Sequence, residues 1–152
     1  MPLAWEKCWT QDRNEDRFCV LCRKAHKVSS SLSKGRFCPG CRTPQRDHEA
    51  ARVIQALTRA KKYNAPATLT IPEWLKILDH FKGKCAYCGR NFEIIEHIIA
   101  ITAGGGTTAL NCVPGCLGCN ATKDRNRCEY PMPQEKIEKA KSELLFLFSK
   151  VS

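Results

Sequence analysis

The chain has 152 residues, enough for one compact unit or two small ones, and neither half would bury a large core without metal staples. Its formal charge of +10 and pI near 9.2 favour a polyanionic partner such as nucleic acid. The N-terminal residues have no apolar signal-peptide core and no run approaches eighteen apolar residues, so we expect a cytoplasmic protein that does not enter a membrane.

Residues 1–18 carry two tryptophans and no clear period, and we expect a loosely structured arm that docks through Trp5 and Trp9. Two Cys-x2-Cys pairs follow, with fifteen residues between them. Pairs at this spacing in a protein without a secretion signal are typical of a zinc site. The predicted ligands are Cys19, Cys22, Cys38 and Cys41. Cys8 or His26 is an alternative ligand, and residues 1–43 are assigned to an arm and a zinc knuckle.

A basic helix is predicted after Pro44, because Ala51, Ile54 and Leu57 recur at helical spacing. It is either a solvated helix that packs one face on the core or a helix that lies along DNA. The predicted DNA contacts in this region are Arg42, Arg46, Arg52, Arg59, Lys61 and Lys62. A second helix is predicted to begin at a capping box, Thr70 to Glu73, and to end at Gly83. Residues 44–83 thus form a helical, basic, DNA-facing segment.

A second cysteine frame has twenty-seven residues between its pairs and predicts a second structural zinc site. Its ligands are Cys85, Cys88, Cys116 and Cys119. Within the frame, residues 94–101 are predicted to form a strand, residues 104–108 a loop, residues 109–113 a return strand and residues 117–126 a helix. Eight thiolates and two Zn²⁺ would lower the net charge to about +6. Cys112 is expected to be a buried small hydrophobe, and Cys128 has no assigned role.

A last helix is predicted from Gln134 and closes the core or forms a dimer contact. Its apolar face is formed by Ile137, Ala140, Leu144, Leu145 and Phe148. The five-residue apolar run 144–148 is more than one helix face needs, which favours an oligomeric partner. The segment that holds the second cysteine frame is assigned to residues 84–130 and the C-terminal helix to residues 131–152.

The segments EHIIAITAGGG, ALNCV and CLGCNATK together resemble the HNH endonuclease family, also called the ββα-metal or His-Me finger fold. The resemblance covers about a quarter of the chain and implies a small zinc-stapled α+β protein. The family's acid-His pair corresponds to Glu96-His97, its second-strand Asn to Asn111, and its helix residue to Asn120. The acid is Glu here, where members more often have Asp, and Ala100 stands where many have Pro.

The resemblance implies metal-dependent hydrolysis of phosphodiester bonds in double-stranded DNA. His97 is the general base, since imidazole titrates near neutrality, and Asn111 orients it. Glu96 and Asn120 hold one divalent cation, Mg²⁺ first and Mn²⁺ as the alternative. Residues 96 and 97 point to opposite sides of a strand, so a shared site requires the strand to end or bulge there. Lys123, Arg125 and Arg127 are predicted to contact flanking phosphates.

The order of parts also resembles compact two-zinc HNH restriction enzymes, which implies a homodimer that cuts both strands at a symmetric site. A homing or phage-type nicking endonuclease would share the same active site. Two alternative hypotheses place the protein in other functional classes. One is a non-catalytic zinc module that binds nucleic acid, and the other is a redox protein that uses its Cys-x2-Cys pairs.

Overall fold

The structure is a computed structural model and describes residues 16–27, 36–123 and 131–149. The chain divides into two compact units, Met1–His48 and Glu49–Ser152. The predicted arm with Trp5 and Trp9 lies outside the described residues. The α+β class is confirmed, because the described residues contain two small sheets, four α-helices and one 3-10 turn.

The first unit contains an antiparallel hairpin of β1 (Asp16–Phe18) and β2 (Ala25–Lys27). The connection between the strands is a tight knuckle. The Cys19 amide donates to the Lys24 carbonyl at 3.0 Å, and Arg23 adopts a left-handed backbone with φ of 62°. This turn brings both cysteines of the first pair into a single knuckle.

Helix α1 (Pro44–Lys62) begins in the first unit and runs on into the second. The predicted basic helix is confirmed, but its buried stripe differs from the predicted one. Ala50, Val53 and Ala60 are fully buried, whereas Ala51 is exposed. Helical spacing alone fits either stripe, and packing against the core selected the one centred on Val53.

Helix α2 (Ile71–His80) starts at the predicted capping box. The Thr70 hydroxyl accepts from the Glu73 amide at 3.3 Å, and the Glu73 carboxylate accepts from the Thr70 amide at 2.8 Å. Trp74 is fully buried, donates its indole N–H to the Glu49 carboxylate at 2.9 Å, and packs edge-on against Phe92. Two polar groups that would be costly to bury alone therefore satisfy each other.

Strands β3 (Ile94–His97) and β4 (Cys112–Gly115) pair antiparallel, with Glu96 opposite Val113. The prediction of a strand over 94–101 was too long, since the chain leaves the sheet after His97 and makes a 3-10 turn at Ile101–Ala103. The return strand likewise starts at Cys112 instead of Ala109. The Asn111 side chain takes the backbone N–H and C=O of residue 99, so these groups cannot enter the ladder.

Helix α3 (Leu117–Lys123) follows β4 directly, and helix α4 (Gln134–Ser149) closes the second unit. Val53, Trp74, Val113 and Leu144 belong to one apolar core, so the three segments predicted over residues 44–152 share a single core. Leu145 was predicted to lie on the core face, but it is 58% exposed because the buried stripe runs through Ala140 and Leu144. Within the described ranges, every helix is too short or too polar to cross a bilayer.

Candidate active site and metal centres

The eight cysteines of the two predicted frames form two four-thiol clusters, and the sulfur atoms within each lie within 4.8 Å of one another. In each cluster one sulfur–sulfur distance is 3.7 Å, between Cys22 and Cys38 and between Cys88 and Cys116. A tetrahedral zinc ion with Zn–S bonds of about 2.3 Å separates its sulfurs by about 3.8 Å. Both clusters therefore fit zinc, and four thiolates leave no open position for a substrate.

The second cluster joins the two ends of the predicted nuclease segment. Its first pair lies on a knuckle whose Ala86 amide donates to the Pro114 carbonyl of β4 at 2.8 Å, and its second pair spans the start of α3. The Arg90 amide donates to the Cys88 sulfur, and this lowers the pKa of the thiol to about 7, which favours the thiolate that a metal needs. Metal at this cluster thus fixes the helix against the hairpin.

The alternative ligands for the first zinc site receive no support from the described residues. His26 lies on β2 outside the thiol cluster, and its Nε2 is buried without a hydrogen-bond partner in the part of the chain the structure describes. Cys8 and Cys128 lie outside the described residues. Cys112 is fully buried and belongs to neither cluster, and burial raises its pKa to about 12, as expected of a small hydrophobe.

The predicted acid and base lie at the end of strand β3 in the β3–β4 hairpin. Both residues lie inside β3, in register with Val113 and Cys112 of β4, and the strand ends directly after His97. Glu96 is only 2% exposed, and burial raises the pKa of its carboxyl, although the neighbouring Lys123 amine opposes the shift. For His97, burial followed by the positive charges of Lys123 and Arg59 lowers the pKa to about 4. The imidazole is therefore neutral near pH 7, and the lowered pKa makes it a weaker base than an ordinary histidine.

The tautomer of His97 follows from its hydrogen-bond partner, Thr107. His97 Nε2 lies 2.9 Å from the Thr107 hydroxyl, which in turn lies 3.1 Å from the Ala56 carbonyl of α1. A carbonyl only accepts, so the single hydroxyl proton goes to Ala56 and the hydroxyl oxygen accepts from Nε2. This arrangement corresponds to an imidazole that is protonated on Nε2 and unprotonated on Nδ1. Sequence reasoning missed Thr107, whose partner in α1 lies 51 residues away.

Asn111 closes the loop that follows His97. Its Oδ1 accepts from the Ile99 amide at 2.9 Å, while its Nδ2 donates to the Ile99 carbonyl at 3.0 Å and to the Gly106 carbonyl at 2.8 Å. The side chain is 9% exposed, so these bonds are largely shielded from water. One amide therefore joins the exit of β3 to the approach of β4.

Two glycines are required by close packing at this hairpin. A Cβ on Gly105 would lie 1.9 Å from the Ile99 carbonyl oxygen. A Cβ on Gly115 would lie 2.6 Å from the Glu96 Cβ. Both distances are far inside van der Waals contact, so any side chain at residue 115 would move the predicted acid.

The Glu96 carboxylate is held by the amine of Lys123, which also donates to the His97 backbone carbonyl. The predicted role of Lys123 toward flanking phosphates stays a prediction, and in the structure its amine is engaged inside the site. Asn120 is exposed on α3 and lies one turn before Lys123. A Glu96 carboxylate oxygen and the His97 carbonyl oxygen thus already bind one cation, the ammonium of Lys123. The carboxylate and carbonyl oxygens are also the hard donors that Mg²⁺ or Mn²⁺ prefers.

The predicted DNA-contacting residues fall into different environments. Arg52 pairs with Glu49 at 3.3 Å, donates to the Glu93 carbonyl and lies over the Phe92 ring at 5.2 Å, so it takes part in the fold. Arg42 pairs with Asp47 at 2.7 Å, and Arg46 donates to the Cys41 carbonyl at 2.7 Å. Arg59, Lys61 and Lys62 are exposed, and Arg42 is exposed as well despite its ion pair. Arg125 and Arg127 lie outside the described residues.

A cavity of about 430 Å³ lies along the exposed face of α1. It is lined by Ile54, Gln55, Thr58, Arg59, Lys62 and Tyr63. Arg59 is near enough to lower the pKa of His97, and Ala56 of the same helix carries the Thr107 bond. This basic face therefore borders the predicted base.

Comparison with known proteins agrees with this geometry. Residues 85–126 match the family model described as HNH endonuclease. The chain is 31% identical over 77 residues to the "SPbeta prophage-derived putative HNH endonuclease YoqL" of Bacillus subtilis (strain 168), an alignment that covers 41% of this chain and 31% of the relative. The chain thus spans less than a third of that relative's length. No solved structure gives a significant match.

The hairpin, the following helix and the family match together define the class. Residues 85–126 match the HNH endonuclease family model, and they lie on a small α+β scaffold whose two four-thiol clusters fit zinc. The predicted resemblance to this family is confirmed.

Proposed function

We propose that the protein is a metal-dependent DNA endonuclease that hydrolyses phosphodiester bonds with His97 as general base. The observation that carries the proposal is the neutral, Nε2-protonated His97 next to the Glu96 carboxylate at the end of the hairpin. Hydrolysis needs a base for the attacking water and positive charge at the phosphate. His97 would supply the base, and Glu96 would hold the divalent cation that supplies the positive charge.

In the proposed mechanism each residue has a separate task. His97 takes a proton from water on Nδ1, because Nε2 is occupied by Thr107. Asn111 fixes the loop so that the imidazole keeps one orientation during the transfer. Glu96 and Asn120 would hold a divalent cation, which supplies positive charge at the scissile phosphate and the departing oxygen when bound.

The substrate class rests on charge and on the position of α1. The cavity along α1 presents Arg59 and Lys62 beside the base, and cations so placed attract a phosphate backbone. The exposed ring of Tyr63 lies in the same cavity. Double-stranded DNA is therefore the proposed substrate, and Arg52 is not expected to contact it.

The test is cleavage of supercoiled plasmid with Mg²⁺ and with EDTA. We expect Mg²⁺-dependent cutting that falls by about 10²–10⁴-fold in His97→Ala. The matched control is His80→Ala, since that imidazole pairs with Glu143 at 2.6 Å away from the hairpin. If the His97→Ala protein cuts as well as the wild type, the mechanism is wrong. If folded, zinc-loaded protein binds DNA and never cuts it, the non-catalytic module is the correct reading.

The biological type of nuclease is a finer proposal. A site-specific homodimer of the restriction type fits the exposed Leu145 and Phe146 on α4, which are 58% and 57% exposed. The prophage origin in the relative's name favours a phage-type nicking enzyme instead. Gel filtration and mapping of both cleaved strands separate the two, because a symmetric dimer leaves paired cuts and a nicking enzyme leaves one.

A further inference from the structure

The amine of Lys123 occupies an unusual position for a lysine near a predicted nuclease site. It donates to both the Glu96 carboxylate and the His97 backbone carbonyl. The Lys123 side chain is only 14% exposed and that of Glu96 only 3%. This contact is therefore unlike the solvated surface ion pairs that contribute little to folding stability.

The position matters because Glu96 is the carboxylate assigned to the divalent cation. Without a positive partner, a carboxylate this deeply buried is costly, so the ammonium stabilises the ionised acid inside the protein. An ammonium and a divalent cation on the same oxygens would repel each other strongly in a site with little water. The two cations therefore compete for Glu96.

We propose that Lys123 is a tethered counter-ion of the metal site, whose ammonium holds Glu96 in the metal-free protein and is displaced when a divalent cation binds. The proposal rests on the proposed function, since it uses the same metal site. Once released, the amine stays within one side-chain length of the hairpin, where the nearest available anion is a phosphate of the bound DNA. Lys123 would thus shift from Glu96 to substrate as the site loads.

The first experiment measures Mn²⁺ binding by titration calorimetry, with zinc already loaded. Lys123→Met removes the competing charge and keeps much of the side-chain volume, so we expect Mn²⁺ to bind about 5–150-fold more tightly, the usual range of coupling between two ligands. Lys141→Met is the matched control, because its amine pairs with exposed Glu138 at 3.2 Å and should leave the affinity unchanged. Glu96→Gln should abolish binding.

The second experiment uses the wild-type protein and therefore does not depend on the folding of any variant. Amines are acetylated under limiting reagent with and without Mn²⁺, and each lysine is quantified by mass spectrometry. Displacement predicts that acetylation of Lys123 rises at least about threefold with Mn²⁺ while that of Lys141 stays constant.

The outcomes distinguish the displacement of Lys123 from the existence of the metal site at Glu96. Tighter Mn²⁺ binding by Lys123→Met, or metal-induced acetylation of Lys123, supports displacement. Loss of binding in Glu96→Gln together with unchanged affinity in Lys123→Met and unchanged acetylation overturns displacement and keeps the metal site. Wild-type affinity in Glu96→Gln overturns both, because Glu96 would then not be a ligand of the cation.

Discussion

Thr107 offers the sharpest test of how the hairpin controls its base. Thr107→Val keeps the shape of the fully buried side chain and removes the hydroxyl that accepts from His97 Nε2. The Ala56 carbonyl lies inside α1 and keeps its helical hydrogen bond, so the imidazole N–H is the group left unsatisfied. That loss costs about 1–3 kcal/mol of folding free energy.

Thr107→Val should slow catalysis as well as destabilise the fold. With no acceptor on Nε2, the ring is free to rotate or change tautomer, and we expect kcat to fall by about 10–100-fold, equivalent to about 1.4–2.8 kcal/mol. Thr107→Ser is the control, since it keeps the hydroxyl and loses one methyl group, at a cost of about 1 kcal/mol in stability.

Single-turnover plasmid cleavage gives the rate, urea unfolding gives the stability, and ¹⁵N NMR of the imidazole reports the tautomer. The expected pattern is an Nε2-protonated ring in the wild type and in Thr107→Ser, and a mixed population in Thr107→Val. Equal rates for the wild type and Thr107→Val would refute the reasoning. So would a Thr107→Ser protein as slow as Thr107→Val.

Three other predictions concern the scaffold and the DNA-binding face. Elemental analysis of the purified protein should find about two Zn²⁺ per chain. The Cys116→Ser variant should hold about one, because it lacks a ligand of the second cluster. Thiols that titrate freely would instead support a redox protein. Gly115→Ala should lower the free energy of unfolding by about 1–3 kcal/mol and weaken Mn²⁺ binding, because its methyl displaces Glu96. Arg59→Ala should weaken DNA binding, measured by filter binding, and should reduce the slope of log affinity against log salt concentration by about one. Arg52→Ala should instead lower the free energy of unfolding in urea by about 1–3 kcal/mol. The reverse pattern would contradict these assignments.

The parts that could be predicted from the sequence are those encoded locally. A Cys-x2-Cys knuckle and the capping box at Thr70 depend on neighbours within four residues, and both formed as predicted. The identity of the hairpin came from a family resemblance and not from periodicity. Strand ends were placed wrongly, because the Asn111 side chain competes for the backbone groups of residue 99.

The residue roles that could not be predicted from the sequence depend on long-range contacts. Arg52 and Arg59 look alike in the chain, and only the tertiary contacts of Arg52 with Glu49, Glu93 and Phe92 show that it takes part in the fold. Thr107 is an ordinary loop residue until its contact with Ala56, 51 positions earlier, becomes visible. The contact of Lys123 with Glu96, 27 residues earlier in the chain, could likewise not be predicted from the local sequence. Each of these roles depends on a tertiary neighbour of unrelated local sequence.

The three hydrogen bonds of Asn111 also have an evolutionary consequence. They hold the two ends of the loop together, at Ile99 and Gly106. Thr102, Ala103 and Gly104, in the middle of the loop, are exposed. Doubling the length of a loop costs only about 0.6 kcal/mol in closure entropy. Insertions at these exposed residues should therefore be tolerated without disturbing the base, and relatives or engineered variants could gain new DNA-contacting segments there while the cutting chemistry stays constant.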